Sequence, residues 1–107
     1  MRTVTDLLDL NGWRWMHAPT VTVRRRQRDG SERTYAETTT KGTLGTGWPD
    51  IVAVRERVIY VELKADDGRL SEAQVGVREA LRDAEAEWYC WRPRDWDEVV
   101  AVLGRAA

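Results

Sequence analysis

The sequence predicts an α/β fold, a central mixed β-sheet flanked by helices, built as one domain over residues 1–107. Three observations lead there. The stretch IVAVRERVIYVELK holds two Val/Ile-rich runs that are apolar on both faces, the pattern of strands covered on both sides. Amphipathic helical patterns stand before and after it. The order, a helix, then strands, then strand-helix-strand-helix, is that of a sheet packed between helices. A chain of 107 residues can bury one core, not two.

The elements follow in turn. Val4, Leu7, Leu8 and Leu10 fall on helical spacing and Asn11-Gly12 stops them, which gives a short first helix over Val4 to Leu10. WRWMHAP reads as a strand ended by Pro19. Val21 to Arg26 and Arg33 to Thr39 alternate or are β-branched, and Asp29-Gly30 between them makes a hairpin. KGTLGTGWPD carries three glycines and a proline in ten residues and is a loop. After the apolar hairpin, Ser71 and Gln74 form a capping box for a helix whose inner face is Val77, Ala80, Leu81 and Ala84. WYCWRP reads as a buried strand with Cys90 an inert buried thiol, and Asp95 with Glu98 caps a last helix ending at Gly104.

Composition narrows the function. Charged residues are 33% and hydrophobic ones 42%, and no apolar run is long enough to cross a membrane. MRTVTDLLDL lacks the succession of a signal peptide and the single cysteine cannot form an internal disulfide, so a soluble, cytoplasmic protein is expected. His17 stands alone, without metal-ligand spacing, and reads as structural. The net charge of −1 gives no global attraction to nucleic acid, but its distribution is uneven. Arg24, Arg25, Arg26 and Arg28 crowd one hairpin, where they suit either a solvated arm or a surface that tracks a phosphate backbone. Lysine is kept only at Lys41 and Lys64, and Lys41 lies beside the glycine-rich loop, where a phosphate can be approached closely.

The charges that interrupt the apolar hairpin carry the chemistry. Pro49-Asp50 opens its first strand, and Glu62 and Lys64 close the second. Side chains alternate across a strand, so Glu62 and Lys64 share a face. Asp50 joins them if the turn is the three residues Arg55-Glu56-Arg57, which pairs Val54 with Val58 and sets Asp50 opposite Glu62; a two-residue turn would send it to the other face. The turn has no Gly or Asn for a left-handed position, so a five-residue version also fits. Two hard oxygen donors fixed on strands suit Mg²⁺ or Mn²⁺, and a lysine beside them can orient water or hold charge on phosphoryl oxygens. Surface ion pairs of no functional consequence would look the same if taken as charges alone.

The wider pattern resembles a known family. Pro49-Asp50, an apolar strand and Glu62-Leu63-Lys64 resemble the PD-(D/E)xK nuclease signature, and GWPDIVAV followed by IYVELKADDGRLSEAQ resembles its VRR-NUC branch, which is similar to Holliday-junction resolvases. Gly47, Gly68, Arg69, Leu70, Ser71 and Gln74 complete that pattern, from about Thr38 to Leu81. The resemblance implies a restriction-endonuclease-like fold and a metal-dependent endodeoxyribonuclease that cuts branched DNA such as a four-way junction. It implies that Asp50, Glu62 and the main-chain carbonyl of Leu63 ligate the metal, that Lys64 is catalytic and that Gln74 lies close by. The family's first-helix carboxylate has only Asp6 and Asp9 as counterparts, and Asp6 is chosen. Gln74 serves equally as a plain capping residue. Trp48 would either wedge at a branch point or anchor its loop, and Arg69 joins the DNA-contacting set. Cutting two strands symmetrically needs two sites, so a C2 homodimer is expected. The rival expectation is a nuclease-fold module that grips DNA or a protein and cuts little, favoured by the near-neutral charge and the missing first-helix glutamate.

Overall fold

The computed structural model describes residues 2–18, 20–38 and 42–105, with the backbone alone at residues 20–25, 34–38 and 46. Helix α1 (Val4–Leu10) starts at a capping box in which Thr3 Oγ1 accepts from the Asp6 amide and Asp6 accepts from the Thr3 amide. It stops where Asn11 turns back on Leu7 and Gly12 takes a φ of 78°. Strands β1 (Arg14–His17), β2 (Thr20–Arg26) and β3 (Glu32–Thr38) follow, then a 3-10 turn at Gly45–Gly47. Strands β4 (Ile51–Val54) and β5 (Val58–Leu63) lead to α2 (Glu72–Asp83), β6 (Glu87–Trp91), a second 3-10 turn at Pro93–Asp95 and α3 (Trp96–Gly104).

The result is an α/β protein: three helices around an open four-strand mixed sheet in the order β1-β4-β5-β6. β1, β4 and β5 are antiparallel, and β6 runs parallel to β5 after the crossover through α2. Among the described residues β2 and β3 pair only with each other. The radius of gyration, 16.0 Å, exceeds the roughly 13 Å of a compact chain of this size, as expected when a hairpin stands off the main sheet.

One face of the sheet makes the core. Ile51, Ala53, Ile59 and Val61 are fully buried there against Leu7 and Leu8 of α1 and Val99, Val102 and Leu103 of α3. The other face carries Val52, Tyr60 and Glu62, and α2 lies over its β6 side. Of the expected inner face of α2, Val77 is buried and Leu81 half-buried, while Ala80 and Ala84 are exposed, because α2 packs on the β6 edge and the Gly45–Gly47 turn and not over the middle of the sheet. For the same reason Cys90 is half-buried rather than sealed in a core; burial still pushes its thiol up, and Arg92 Nη1 lies 3.4 Å from the sulfur. Asp95 does not pair with Glu98 at the start of α3; its carboxylate reaches back to the Arg92 amide at 2.8 Å and closes the 3-10 turn.

The turn between β4 and β5 is the three residues Arg55-Glu56-Arg57, with Val54 opposite Val58. Arg55 N–H donates to the Arg57 carbonyl, and no residue of the turn has a positive φ. Both arginines point inward to helix ends. Arg55 donates to the carbonyls of Asn11 and Leu103, Arg57 to those of Val102 and Arg105, and the two guanidiniums lie 4.8 and 5.0 Å from the ring centre of Trp13. These carbonyls are among those a helix C-terminus leaves without intrahelical partners, and a fixed cation fork satisfies them. Glu56 and Glu87 balance the charge, with Glu87 2.9 Å from Arg57. Arg57 is only 14% exposed, so these are part-buried charge-assisted bonds. Arg57→Ala is expected to lower stability by about 2–3 kcal/mol, and Arg57→Lys to restore less than half of that, both read from urea unfolding midpoints.

Candidate active site

Asp50 sits just before β4, and its backbone carbonyl accepts from Ala18 N–H at 2.8 Å, extending the β1 ladder by one bond. Because β4 begins only at Ile51, opposite Val61, the amide of Leu63 runs past the last strand partner. Asp50 fills the gap: its Oδ2 accepts from Leu63 N–H at 2.8 Å. The same register puts Asp50 opposite Glu62, the arrangement that a three-residue turn requires. In an extended strand a residue's N–H and C=O leave on the same edge, so the Leu63 carbonyl faces the Asp50 side.

Glu62 is 2% exposed, the one charged side chain that the fold buries among the described residues. Gln74 Nε2 donates to its Oε1 at 3.1 Å. The same glutamine also accepts from the Ser71 amide through its Oε1 at 2.9 Å while its own amide donates to Ser71 Oγ at 3.1 Å. One side chain thus caps α2 and reaches into the site. Burial, then a hydrogen bond with Asp50 and the charge of Asp50, push the Glu62 carboxyl from 4.5 up to about 8, against the opposing pull of the Lys64 ammonium. Near neutral pH Glu62 therefore keeps its proton. Lys64 is half-buried, and its amide donates to the Trp91 carbonyl at 3.0 Å, which prolongs β5 and keeps its side chain on the Glu62 face.

The loop before Asp50 is pressed on α2. Pro49 is fully buried, and a Cβ on Gly47 would come within 2.1 Å of the Ala73 carbonyl oxygen, so no other residue fits without moving the first turn of α2. Trp48 packs edge-on against Tyr60 at 5.5 Å, as an anchor of its loop to the sheet. The structure does not bring Asp6 to the pair, contrary to the expectation that it completes the ligand set. Its carboxylate is exposed and used in the α1 capping box, which holds it below the ordinary range, and Asp9 takes the Trp15 indole N–H at 2.8 Å. Arg26, Arg28 and Arg69 are exposed; Arg24 and Arg25 are placed in β2 by their backbone, and Lys41 lies outside the described residues. His17 packs edge-on against Trp15.

Sequence reasoning passed over Arg92. Its Nη2 donates to the Gly68 carbonyl at 2.8 Å and fixes the Gly68-Arg69-Leu70 turn beside the strand ends, a role that no local pattern signals. The pair itself fits a hard divalent cation: two carboxylates, one of them strongly disfavoured as an anion where it stands, and no thiolate or imidazole among them. Among the described residues no third His, Cys, Asp or Glu converges on it, which suits an ion that keeps several waters better than a closed zinc site. Comparison of the chain with protein-family models, curated proteins and solved structures returned no match.

The raised Glu62 pKa links proton binding to folding. Between about pH 4.5 and 8 the folded chain keeps a proton that the unfolded chain has released, so metal-free stability is highest below that window and falls as pH rises through it. From pH 5 to pH 8, urea unfolding with chelator present is expected to show a loss of about 3 kcal/mol for this group. Glu62→Gln should flatten that slope; an equal slope in the variant would place the titration elsewhere.

Proposed function

We propose that the protein is a Mg²⁺- or Mn²⁺-dependent endodeoxyribonuclease with a restriction-endonuclease-like fold, of the PD-(D/E)xK class and resembling its VRR-NUC branch. The observation that carries this reading is the register: Asp50 and Glu62 stand opposite each other at the end of the central strands, with Lys64 next on the Glu62 face and Gln74 bonded to Glu62. A buried carboxylate beside a second, half-buried one is an unfavourable arrangement that a structural role does not call for. Asp50, Glu62 and the Leu63 carbonyl would hold the ion. When bound, it would supply Lewis-acid charge and a water of lowered pKa.

The chain's own residues divide the remaining work. Leu63 N–H and the Gln74 amide orient the two carboxylates, so that neither has to reorganise as substrate arrives. Lys64 orients the attacking water or balances charge on the phosphoryl oxygens, within reach of a group already sensitive to it. Arg26, Arg28 and Arg69 are exposed cations suited to phosphate contacts. Branched DNA is the proposed substrate and a C2 homodimer the proposed assembly, because paired cuts need two such sites.

A second reading, a DNA- or protein-binding module on the same fold, is favoured by the absence of a third acid at the pair among the described residues. The two separate in one experiment, cleavage of labelled four-way junction, flap, single-stranded and linear duplex DNA with Mg²⁺, Mn²⁺ or chelator. Metal-dependent cutting strongest on the junction is expected, reduced at least about 100-fold by Glu62→Gln or Lys64→Ala and about 10- to 100-fold by Gln74→Ala. Binding without cutting of any substrate, unchanged in Glu62→Gln, would instead establish the binding module.

A further inference from the structure

Where β5 and β6 end, their ladder carries two cations side by side. Leu63 is paired with Trp91, and the bond from the Lys64 amide to the Trp91 carbonyl continues the pairing, so Lys64 and Arg92 are neighbours across the two strands. Side chains alternate along each strand, which sets both on the face of Glu62 and Cys90, one strand spacing of about 4.8 Å apart. Like charges directly across a ladder are destabilising. Lys64 stands beside the Asp50/Glu62 pair, but Arg92 has no acid to offset its charge. Among the described residues no carboxylate forms an ion pair with its guanidinium, whereas Arg55 and Arg57 are held by Glu56 and Glu87, and Arg78 and Arg82 by Glu79. Asp66 turns its carboxylate to the Arg94 amide at 3.2 Å, and Asp95 takes the backbone amide of Arg92, not its side chain.

Arg92 is also under-used as a donor. Its Nη2 meets the Gly68 carbonyl at 2.8 Å and its Nη1 lies 3.4 Å from the Cys90 sulfur, which leaves most of its N–H groups without a protein acceptor among the described residues. Clamping the Gly68 turn takes one such bond, and a neutral amide could make it. A half-buried guanidinium that is held in place by a carbonyl and left unneutralised suits an anion of fixed position, and a phosphate matches its planar fork. Asp50, Glu62 with Lys64, and Arg92 follow one another across the ends of β4, β5 and β6. A phosphate chain laid over the Asp50/Glu62 pair and continuing towards β6 therefore meets Lys64 and then Arg92. We propose that Arg92 holds the phosphate next to the one being cut, on the β6 side of the site, and so sets which bond lies over the Asp50/Glu62 pair. The place of the cut rests on the nuclease reading above; the phosphate contact is tested apart from it.

Arg92→Gln removes the charge but keeps a side-chain N–H for the Gly68 carbonyl, and Arg92→Lys keeps the charge without the fork. With metal chelated, binding of the intact protein to a four-way junction is measured over a range of salt, then repeated with the phosphates around the branch point replaced one at a time by uncharged methylphosphonates. One replacement is expected to weaken wild-type binding roughly tenfold, the worth of a charge-assisted hydrogen bond, and to cost nothing further in Arg92→Gln. The slope of log affinity against log salt should lessen by about one in Arg92→Gln and return in Arg92→Lys, a pattern that a turn clamp alone does not produce. When Mg²⁺ is restored to the wild type, the coupled phosphate should adjoin the cleaved one. An unchanged salt slope in Arg92→Gln, the same cost at every phosphate in both proteins, a coupled phosphate distant from the cut, or no binding of the unmodified junction at low salt would overturn the proposal. Metal-dependent cutting together with any of these results would remove the Arg92 contact and leave the nuclease standing. A coupled phosphate in a chain that cuts nothing would keep the contact and remove the nuclease.

Discussion

The register of β4 on β5 is the constraint on which the candidate site depends. A slip of one residue would move every side chain of one strand to the opposite face, carrying Asp50 away from Glu62 and burying polar groups in the core. Nothing at the site end of the hairpin is strong enough to fix it alone: Asp50 contributes one hydrogen bond to Leu63. The stronger specification lies at the other end. Arg55 and Arg57 occupy the turn, flank Glu56 and reach the carbonyl ends of α1 and α3 and the face of Trp13. A two-residue turn could not present both guanidiniums to those helix ends. The turn therefore ties strand register to helix packing, and the register then determines which side chains meet at the far end.

That end is held in an electrostatically unfavourable state by favourable local bonds. Glu62 lies in a nearly dry position beside a second carboxylate, and its anion is disfavoured accordingly. Leu63 N–H on Asp50 and Gln74 on Glu62 satisfy lone pairs without neutralising charge. Gln74 is also committed to the cap of α2, and the Gly47 contact presses the preceding loop on that same helical turn. The carboxylates are thus positioned by three separate segments, and rearranging one to relieve the repulsion would disturb a helix cap or a packed loop. Such a site is relieved at least structural cost by a proton or a cation, and the two compete.

Much of this was legible in the sequence, because strong periodicity and punctuation act locally. The helix at Val4–Leu10, the Asp29-Gly30 hairpin and the Ser71/Gln74 cap follow from short-range patterns, whereas the pairing of Val54 with Val58 is one of several registers the residues allow. The misreadings are tertiary. Ala80 and Ala84 fall on the apolar stripe of α2, yet α2 sits at the sheet edge, where half the stripe has no partner. Cys90 has apolar neighbours in the chain but lies on the face that α2 covers incompletely. Asp6 has the chemistry of a ligand and the position of a capping residue, and the nearer partner took it. No one-dimensional pattern encodes Arg92, which spans 24 residues to reach Gly68.

The net charge of −1 argues against a polyanionic partner only if the acids and bases are evenly mixed, and they are not. Glu72, Glu79 and Asp83 are exposed on α2, and Asp97 and Glu98 on the first turn of α3. Glu56 and Glu87 are bound to the structural arginines of the turn and contribute little free field. Arg2 and Arg69 are exposed, and Lys64 and Arg92 are half-buried on the Glu62 side of the sheet. Counterion release depends on the cations that a phosphate chain actually meets, and screening over about 8–10 Å removes most influence of acids elsewhere on the surface. A near-neutral protein can therefore present a locally cationic surface, and the total charge alone does not argue against a polyanionic partner.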